Sequence, residues 1–308
     1  MDGILIVNKD KGFTSHDVCA VLRGVLHTKK IGHTGTLDPD ARGVLPVLVG
    51  KATKLSDMLI ADDKIYEVVM KLGTTTDTLD ISGEVLCECE VNVCEEEIRS
   101  AVTSFIGEIM QVPPMYSAIK VDGKKLYELA RAGKEIERKP RKVFIEKIEI
   151  EEINSPYVRM KVHCSKGTYI RTLCDDIGKK LKVGGMMCEL VRLRSGSFDI
   201  ENSSSLEDIK KMSEEEIGNH IIGLGQALSH LPVFKVNSKF DKALYNGNML
   251  KLSYGSFEEG KSACERDEEK PCHADKSVDV LVVSDSDEVV GIYYRDADFL
   301  KPRKMLLG

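Results

Sequence analysis

With 308 residues the chain is long enough for two domains, and 42% hydrophobic residues supply a sizeable core. A net charge of −6 excludes a protein that binds nucleic acid over its whole surface, although it leaves room for a local basic face. There is no apolar run of membrane-spanning length and no signal-peptide pattern, and nine unevenly spaced cysteines suit a reducing compartment, so a cytoplasmic protein is expected.

Gly3 to Val7 reads as a strand, with a turn from Asp10 to Phe13. Ser15 then caps a helix whose apolar face carries Val18, Val21, Leu22, Val25 and Leu26. The stretch from Gly32 to Pro46, GHTGTLDPDARGVLP, holds three glycines and two prolines, which break both the helical and the strand period. A loop held between buried segments is expected there, the usual place for reactive groups. Asp38 sits at its centre, and Pro39 confines the Asp38 backbone to extended conformations, giving the carboxylate a fixed direction. Asp40 is the rival carboxylate.

Leu45 to Val49 reads as buried, Lys54 to Ile60 as a short helix, Tyr66 to Leu72 as a strand, and Glu95 to Ile106 as a helix with Ile98, Val102, Phe105 and Ile106 inward. Between Ser117 and Val143 nine Lys or Arg face four acids. Within that segment Arg138, Lys139, Arg141 and Lys142 suit phosphates, and Gly123 and Gly133 bracket a partly helical flap. Lys142 to Ile153 and Tyr157 to Cys164 read as strands. Thr168 caps a helix with Ile170, Leu173, Ile177 and Leu181 on its buried stripe and Arg171 in its first turn. Strands alternating irregularly with helices predict an α+β fold on a mixed sheet.

Asn202 to Gly225 reads as a linker with one or two helices, and short strands at 232–236, 249–254, 278–283 and 289–294 predict a small β domain. The expected division is 1–230 and 231–308, with a basic insertion at about 117–143 and an acidic one at about 256–276. Neither Cys87, Cys89 and Cys94 nor Cys264, Cys272 and His273 has the paired spacing of a structural zinc site. No phosphate-binding glycine motif is visible, so no metal and no cofactor are expected.

The loop around Asp38 resembles the catalytic loop of the TruB-type tRNA pseudouridine synthases, and further motifs follow in that family's order. They are Val7-Asn8-Lys9 through Thr14-Ser15 (with Asp10 where the family carries proline), Lys64-Ile65-Tyr66, Leu72-Gly73 with Thr76-Asp77-Thr78, Pro114 through Ala118, and Cys164 through Arg171. The resemblance spans about residues 3–200. It implies a pseudouridine-synthase-like mixed β-sheet flanked by helices, with a small C-terminal PUA-like β domain. The implied reaction turns uridine 55 in the tRNA T loop into pseudouridine: the base is flipped out, the N1–C1′ bond breaks, the base rotates, and a C5–C1′ bond forms.

By the same resemblance Asp38 matches the catalytic aspartate, Tyr66 the active-site tyrosine, and Arg171 a cation expected to pair with Asp38. The Tyr66 ring would stack on the extruded base, and its hydroxyl, a poor base at an ordinary pKa of about 10, would assist removal of the C5 proton. His33 matches a histidine that supports the rearranged RNA loop, and Tyr169 and Leu190 match walls of the uracil pocket. Asp80 matches an acidic residue to which no role is assigned. The basic segment corresponds to an insertion that closes over RNA. The implied partner is the T stem-loop of tRNA, bound by a monomer, with no membrane and no metal. Asp38 could act on the base or on the ribose. The main alternative is an RNA-binding, tRNA-folding protein in which catalysis is secondary; guide-RNA-dependent relatives and a hydrolase using Asp38 with His33 rank below it.

Overall fold

The computed structural model describes residues 1–59, 63–121, 123–258 and 278–307. In chain order the first half runs β1 (Gly3–Lys9), α1 (Ser15–Val25), β2 (Ile31–His33), β3 (Arg42–Val49), a 3-10 turn (Gly50–Leu55), α2 (Ser56–Leu59), β4 (Lys64–Leu72), and a hairpin of β5 (Thr74–Thr76) and β6 (Val85–Glu88). Then come α3 (Glu95–Thr103), β7 (Gly107–Gln111), the two-residue strands β8 (Lys120–Val121) and β9 (Lys124–Lys125), α4 (Leu126–Arg131), β10 (Arg141–Asn154), β11 (Tyr157–Cys164), α5 (Ile170–Lys180) and β12 (Gly185–Ser195). The large mixed sheet has the order β14-β1-β3-β12-β4-β11-β10-β7, where β14 is Ser204–Ser205, and three short strands attach off this path: β2, β13 (Phe198–Asp199) and β15 (Ile221–Gly223).

Why β1 reads as an unbroken apolar run is clear from what lies on each face. Ile4 and Ile6 point into one core cluster, whereas Leu5 and Val7 point into another beneath α1. Strand β3 behaves the same way, with Val44 and Leu48 on one side and Leu45, Val47 and Val49 on the other. Strand β4 is one-sided. Tyr66, Val68, Met70 and Leu72 are buried, and the residues between them are half-exposed.

Two expected boundaries shift. Thr14, not Ser15, caps α1: its hydroxyl accepts from the Asp17 N–H at 3.0 Å while Asp17 reaches back to the Thr14 N–H at 2.8 Å. Tyr169, not Thr168, is the cap residue of α5, because the Thr168 hydroxyl is turned back to Ser165 O at 2.8 Å. Helix α3 stops at Thr103, and Ile106 is 44% exposed, not inward as expected. The expected loop from Gly32 to Pro46 narrows to residues 34–41, since Gly43 and Pro46 are accommodated inside β3.

Beyond β12 the expected linker is built into the large sheet. β14 pairs parallel with β1, and β15 pairs antiparallel with it, around α6 (Leu206–Lys211) and α7 (Glu214–His220). After α8 (Leu224–Ala227) come β16 (Val233–Val236), α9 (Asp241–Tyr245), β17 (Leu250–Lys251), β18 (Gly255–Phe257), β19 (Asp279–Val283), β20 (Val289–Asp296) and β21 (Phe299–Met305), which form a six-stranded sheet. Met249 to Tyr254 supplies only the short β17 and a 3-10 turn, and β21 was not foreseen. Ser256 lies within β18, and the acidic stretch expected onward from there falls, from residue 259 to 277, outside the described residues. Leu281, Val283, Ile292 and Leu306 of this sheet share a core cluster with Ile4, Ile6, Val44 and Leu48.

Strand β12, unforeseen in the sequence, lies between β3 and β4 at the middle of the large sheet. Gly43 is where β3 meets it: φ is +104°, and a Cβ there would fall 2.2 Å from Arg192 O. Gly43→Ala should therefore lower the unfolding free energy by at least about 2 kcal/mol in urea denaturation. Gly24→Ala, with ordinary φ and open space around it, should be neutral or slightly stabilising.

Candidate active site

The connection from Thr34 to Ala41 has no ladder of its own, so other elements take up its backbone groups. Ser15 Oγ accepts from Leu37 N–H (3.0 Å) and donates to Leu37 O (3.3 Å). Gly12 N–H and Lys9 Nζ both donate to Pro39 O, at 2.9 and 3.1 Å, and Ala41 N–H closes a turn onto Asp38 O at 3.1 Å. From β12, Arg192 donates through Nη2 to Gly35 O (2.9 Å) and through Nε to Val44 O (2.7 Å).

Asp38, held in this frame, meets Arg171 from the first turn of α5. Arg171 Nε lies 3.0 Å from Asp38 Oδ2, and Nη2 donates to Oδ1 at 3.2 Å, a two-point contact. The remaining donors are also used. Nη2 donates to Tyr116 O (2.9 Å), and Nη1 donates to Thr78 O and Asp80 Oδ2 (both 3.3 Å). Asp80 is itself saturated, its Oδ1 accepting from Thr78 Oγ1, Ser82 N–H and Ser82 Oγ at 2.7, 3.0 and 2.6 Å. The guanidinium is thus immobilised between two carboxylates, and its side chain is only 7% exposed against 36% for Asp38. Burial raises the Asp38 pKa above the ordinary carboxylate range, with Arg171 opposing the rise and Asp80 adding to it.

The register of the central strands sets the neighbouring wall. Arg192 stands opposite Tyr66, and Leu190 opposite Val68, across β12 and β4. Tyr66 and Leu190 are buried in the core cluster that also contains Leu37 and Ile170. Burial pushes the Tyr66 phenol upward, against the Arg192 guanidinium, which pulls it down. Half-buried Tyr169 is fixed through its backbone by the buried Gln111 carboxamide, which accepts from its N–H at 2.8 Å and donates to its O at 3.1 Å. His33 ends β2, five residues before Asp38, and burial together with His16 and Arg192 lowers its pKa to about 4. At neutral pH it is an uncharged imidazole.

The four basic residues singled out after Tyr116 are not equivalent. Arg138 is half-buried and donates to Pro113 O and Glu135 Oε1, both at 3.3 Å. Lys139 is exposed. Arg141 and Lys142 begin β10, where Lys142 pairs with Glu108 of β7. Among the described residues one group of possible metal ligands gathers, Asp63, Glu146 and His163. A cation already stands there, since Arg194 Nη2 donates to Asp63 Oδ2 at 2.9 Å and lies 3.4 Å from His163 Nε2. Cys87, Cys89 and Cys94 are free exposed thiols, and Cys264, Cys272 and His273 lie outside the described residues.

Residues 23–170 match a family model for the TruB family pseudouridylate synthase N-terminal domain, and residues 171–229 one for the tRNA pseudouridylate synthase B C-terminal domain. A tRNA pseudouridine synthase B from Clostridium tetani is 42% identical over 308 residues, covering 100% of both chains. The chain belongs to the TruB family of pseudouridylate synthases. The tRNA pseudouridine synthase B of Clostridium novyi is 51% identical over 247 residues, 80% of this chain and 84% of that one. Among solved structures, an H/ACA ribonucleoprotein bound to a substrate RNA containing 2′-deoxyuridine is similar, with a TM-score of 0.72 at 25% identity over 99% of this chain and 85% of that chain. A Cbf5-Nop10-Gar1 complex gives 0.73 at 27% identity, again over 99% and 85%.

In this TruB-family chain, Arg192 and Gln111 are site neighbours that sequence reasoning missed. A charged residue inside a strand reads as solvent-facing, and nothing around Gln111 marks it as a clamp. Asp80 carried a motif signal but no role until its distance to Arg171 was known.

The direction of the Asp38 shift yields a pH prediction. A carboxylic acid whose folded pKa exceeds its unfolded value near 3.9 adds stability at low pH and costs stability once pH has risen through the folded value. Asp38→Asn should therefore be no less stable than the parent at pH 7 in thermal melts. Carbon-13 NMR titration of the Asp38 carboxyl should give a pKa above about 3.9. Arg171→Lys, which loses the two-point contact, should move it further upward.

Proposed function

We propose that this protein isomerises uridine 55 in the T loop of tRNA to pseudouridine, acting as a cytoplasmic monomer on the T stem-loop. The observation that carries this reading is the two-point Asp38–Arg171 contact at the edge of the Tyr66 and Leu190 wall. The N1–C1′ bond of the flipped uridine breaks, the uracil turns, C5 bonds to C1′, and the C5 proton is exchanged for one on N1, so nothing is gained or lost overall. An electron-poor centre forms when the glycosidic bond opens, and the Asp38 carboxylate serves it as nucleophile or as fixed negative charge. Arg171 keeps that carboxylate oriented and opposes its protonation.

Tyr66 stacks on the uracil and does not remove the C5 proton, because burial makes its phenol a worse donor to solvent than an ordinary one of pKa about 10. Tyr169 and Leu190 bound the base, and His33, uncharged, fills the space that the flipped nucleotide leaves. The basic residues Arg138, Lys139, Arg141 and Lys142 face the RNA backbone when the segment of 117–143 closes, which favours a stand-alone enzyme over a guide-dependent one. We take residues 1–230 as the catalytic domain and 231–308 as a PUA-like module.

Pseudouridine mapping in unmodified tRNA treated with the protein tests the reading. Asp38→Asn should lose at least about a thousandfold in rate while still binding tRNA in a filter assay; tRNA bound by the parent protein without formation of pseudouridine would favour the tRNA-folding alternative. Loss of a true general base costs about 10²–10⁴ in rate. Tyr66→Phe should stay within about tenfold of the parent, and a larger loss with unchanged affinity would restore the phenol as a base.

A further inference from the structure

Beside His33, on the α1 side of β2, lies a cavity of about 310 Å³ that the proposed chemistry does not use. His16 and Arg23 from α1, Thr53 and Ser56 from the turn after β3, and His33 itself line it, over a floor that includes Leu48. The His16 and His33 rings meet edge to face with centroids 5.2 Å apart, and His33 Nδ1 is buried without a hydrogen-bond partner in the protein. Arg23 spends one donor on Ile31 O, from Nη2 at 3.2 Å.

The chain segment that carries Arg23, Ile31, Gly32 and His33 of the lining is basic. From Val18 to Leu37 the chain carries Arg23, Lys29, Lys30, His27 and His33 and no Asp or Glu, although the whole chain is acidic. Asp17 and Asp57, which adjoin His16 and Ser56 in the chain, are both engaged: Asp17 accepts from Thr14 N–H and Oγ1 at 2.8 and 2.6 Å, and Asp57 is paired with Lys304. The Thr53 hydroxyl donates to Gly50 O at 2.7 Å, which leaves an arginine, two imidazole rings and the Ser56 hydroxyl along the lining, a set that suits a monoanionic phosphodiester.

We infer that this cavity holds an RNA backbone phosphate close to the flipped nucleotide, with Arg23 as its cation and the His16 and His33 rings and the Ser56 hydroxyl as further donors. The inference rests on the proposed function, and distance supports it. Five residues separate His33 from Asp38, a span of at most about 18 Å, so a strand presenting its nucleotide at Asp38 brings phosphates only a few nucleotides away over the cavity. Neutral His33 then has a role its charge state permits, donating its one ring N–H to a phosphate oxygen.

The test is binding of a T-arm stem-loop RNA to the Asp38→Asn protein across a salt series, with Arg23→Gln and His16→Gln added singly. Each substitution should weaken binding roughly tenfold and Arg23→Gln should reduce the salt slope by about 0.9, with Arg23→Lys restoring the slope. Stem-loops carrying one uncharged methylphosphonate linkage at successive positions locate the contact. One linkage should weaken the parent yet add nothing in Arg23→Gln. Unchanged slope in Arg23→Gln, or equal additive losses at every linkage in both proteins, would overturn the phosphate site. Absence of pseudouridine after treatment with the parent enzyme would instead overturn the proposed function and leave this binding series to be judged separately.

Discussion

The site depends on one guanidinium whose four Nη hydrogens are all committed. Arg171 donates one to Asp38, one to Asp80 and two to backbone oxygens of Thr78 and Tyr116, and its Nε lies 3.0 Å from Asp38 Oδ2. Neutralising Asp38 still leaves Arg171 paired with Asp80, whereas removing the guanidinium would leave two carboxylates without their shared cation, which costs about 3–5 kcal/mol. Because Asp80 is already saturated by Thr78 and Ser82, it serves as ballast for the guanidinium. Asp38, partly open to solvent, is the carboxylate left available to a substrate.

Two further buried cations keep the Asp38 loop in place without contacting its carboxylate. Lys9 directs its ammonium at the carbonyls of Asp10, Phe13 and Pro39, and burial lowers its pKa to about 8, which leaves it mostly charged at neutral pH. Arg192 does the same for Gly35 and Val44. A segment with two prolines and three glycines cannot satisfy its own carbonyls through regular structure, and long cationic side chains from β1 and β12 replace the missing ladder. Asp10 contributes to this arrangement through its main-chain oxygen, which accepts from the Lys9 ammonium at 2.9 Å.

The two kinds of strand explain how the site is reached from both sides. Strands β1 and β3 are covered on both faces, by α1 with its neighbours and by the second sheet, and so form a rigid backing for the loop between β2 and β3. Strands β4 and β11 are buried on one face only, where Tyr66 and its row join the helix that carries Arg171. The Asp38–Arg171 pair thus bridges a loop from one half of the sheet and a helix from the other.

The amino-acid sequence alone determined the position of the Asp38 loop, the runs of β1, β4, β10 and β11, the helix that presents Arg171 and the family motifs, because each is a local pattern of period, turn chemistry or residue spacing. Strand β12 stayed hidden because irregular pairing near Met187/Glu189 and Arg192/Arg194 breaks its alternation and puts an arginine in a core position. Only the tertiary structure decided that Asp80 shares Arg171 with Asp38, that Gln111 holds Tyr169, and that the stretch expected to be a linker completes the sheet. Those are pairings between residues tens to more than a hundred positions apart, and the burial that makes a charge seek a partner exists only once distant strands have come together.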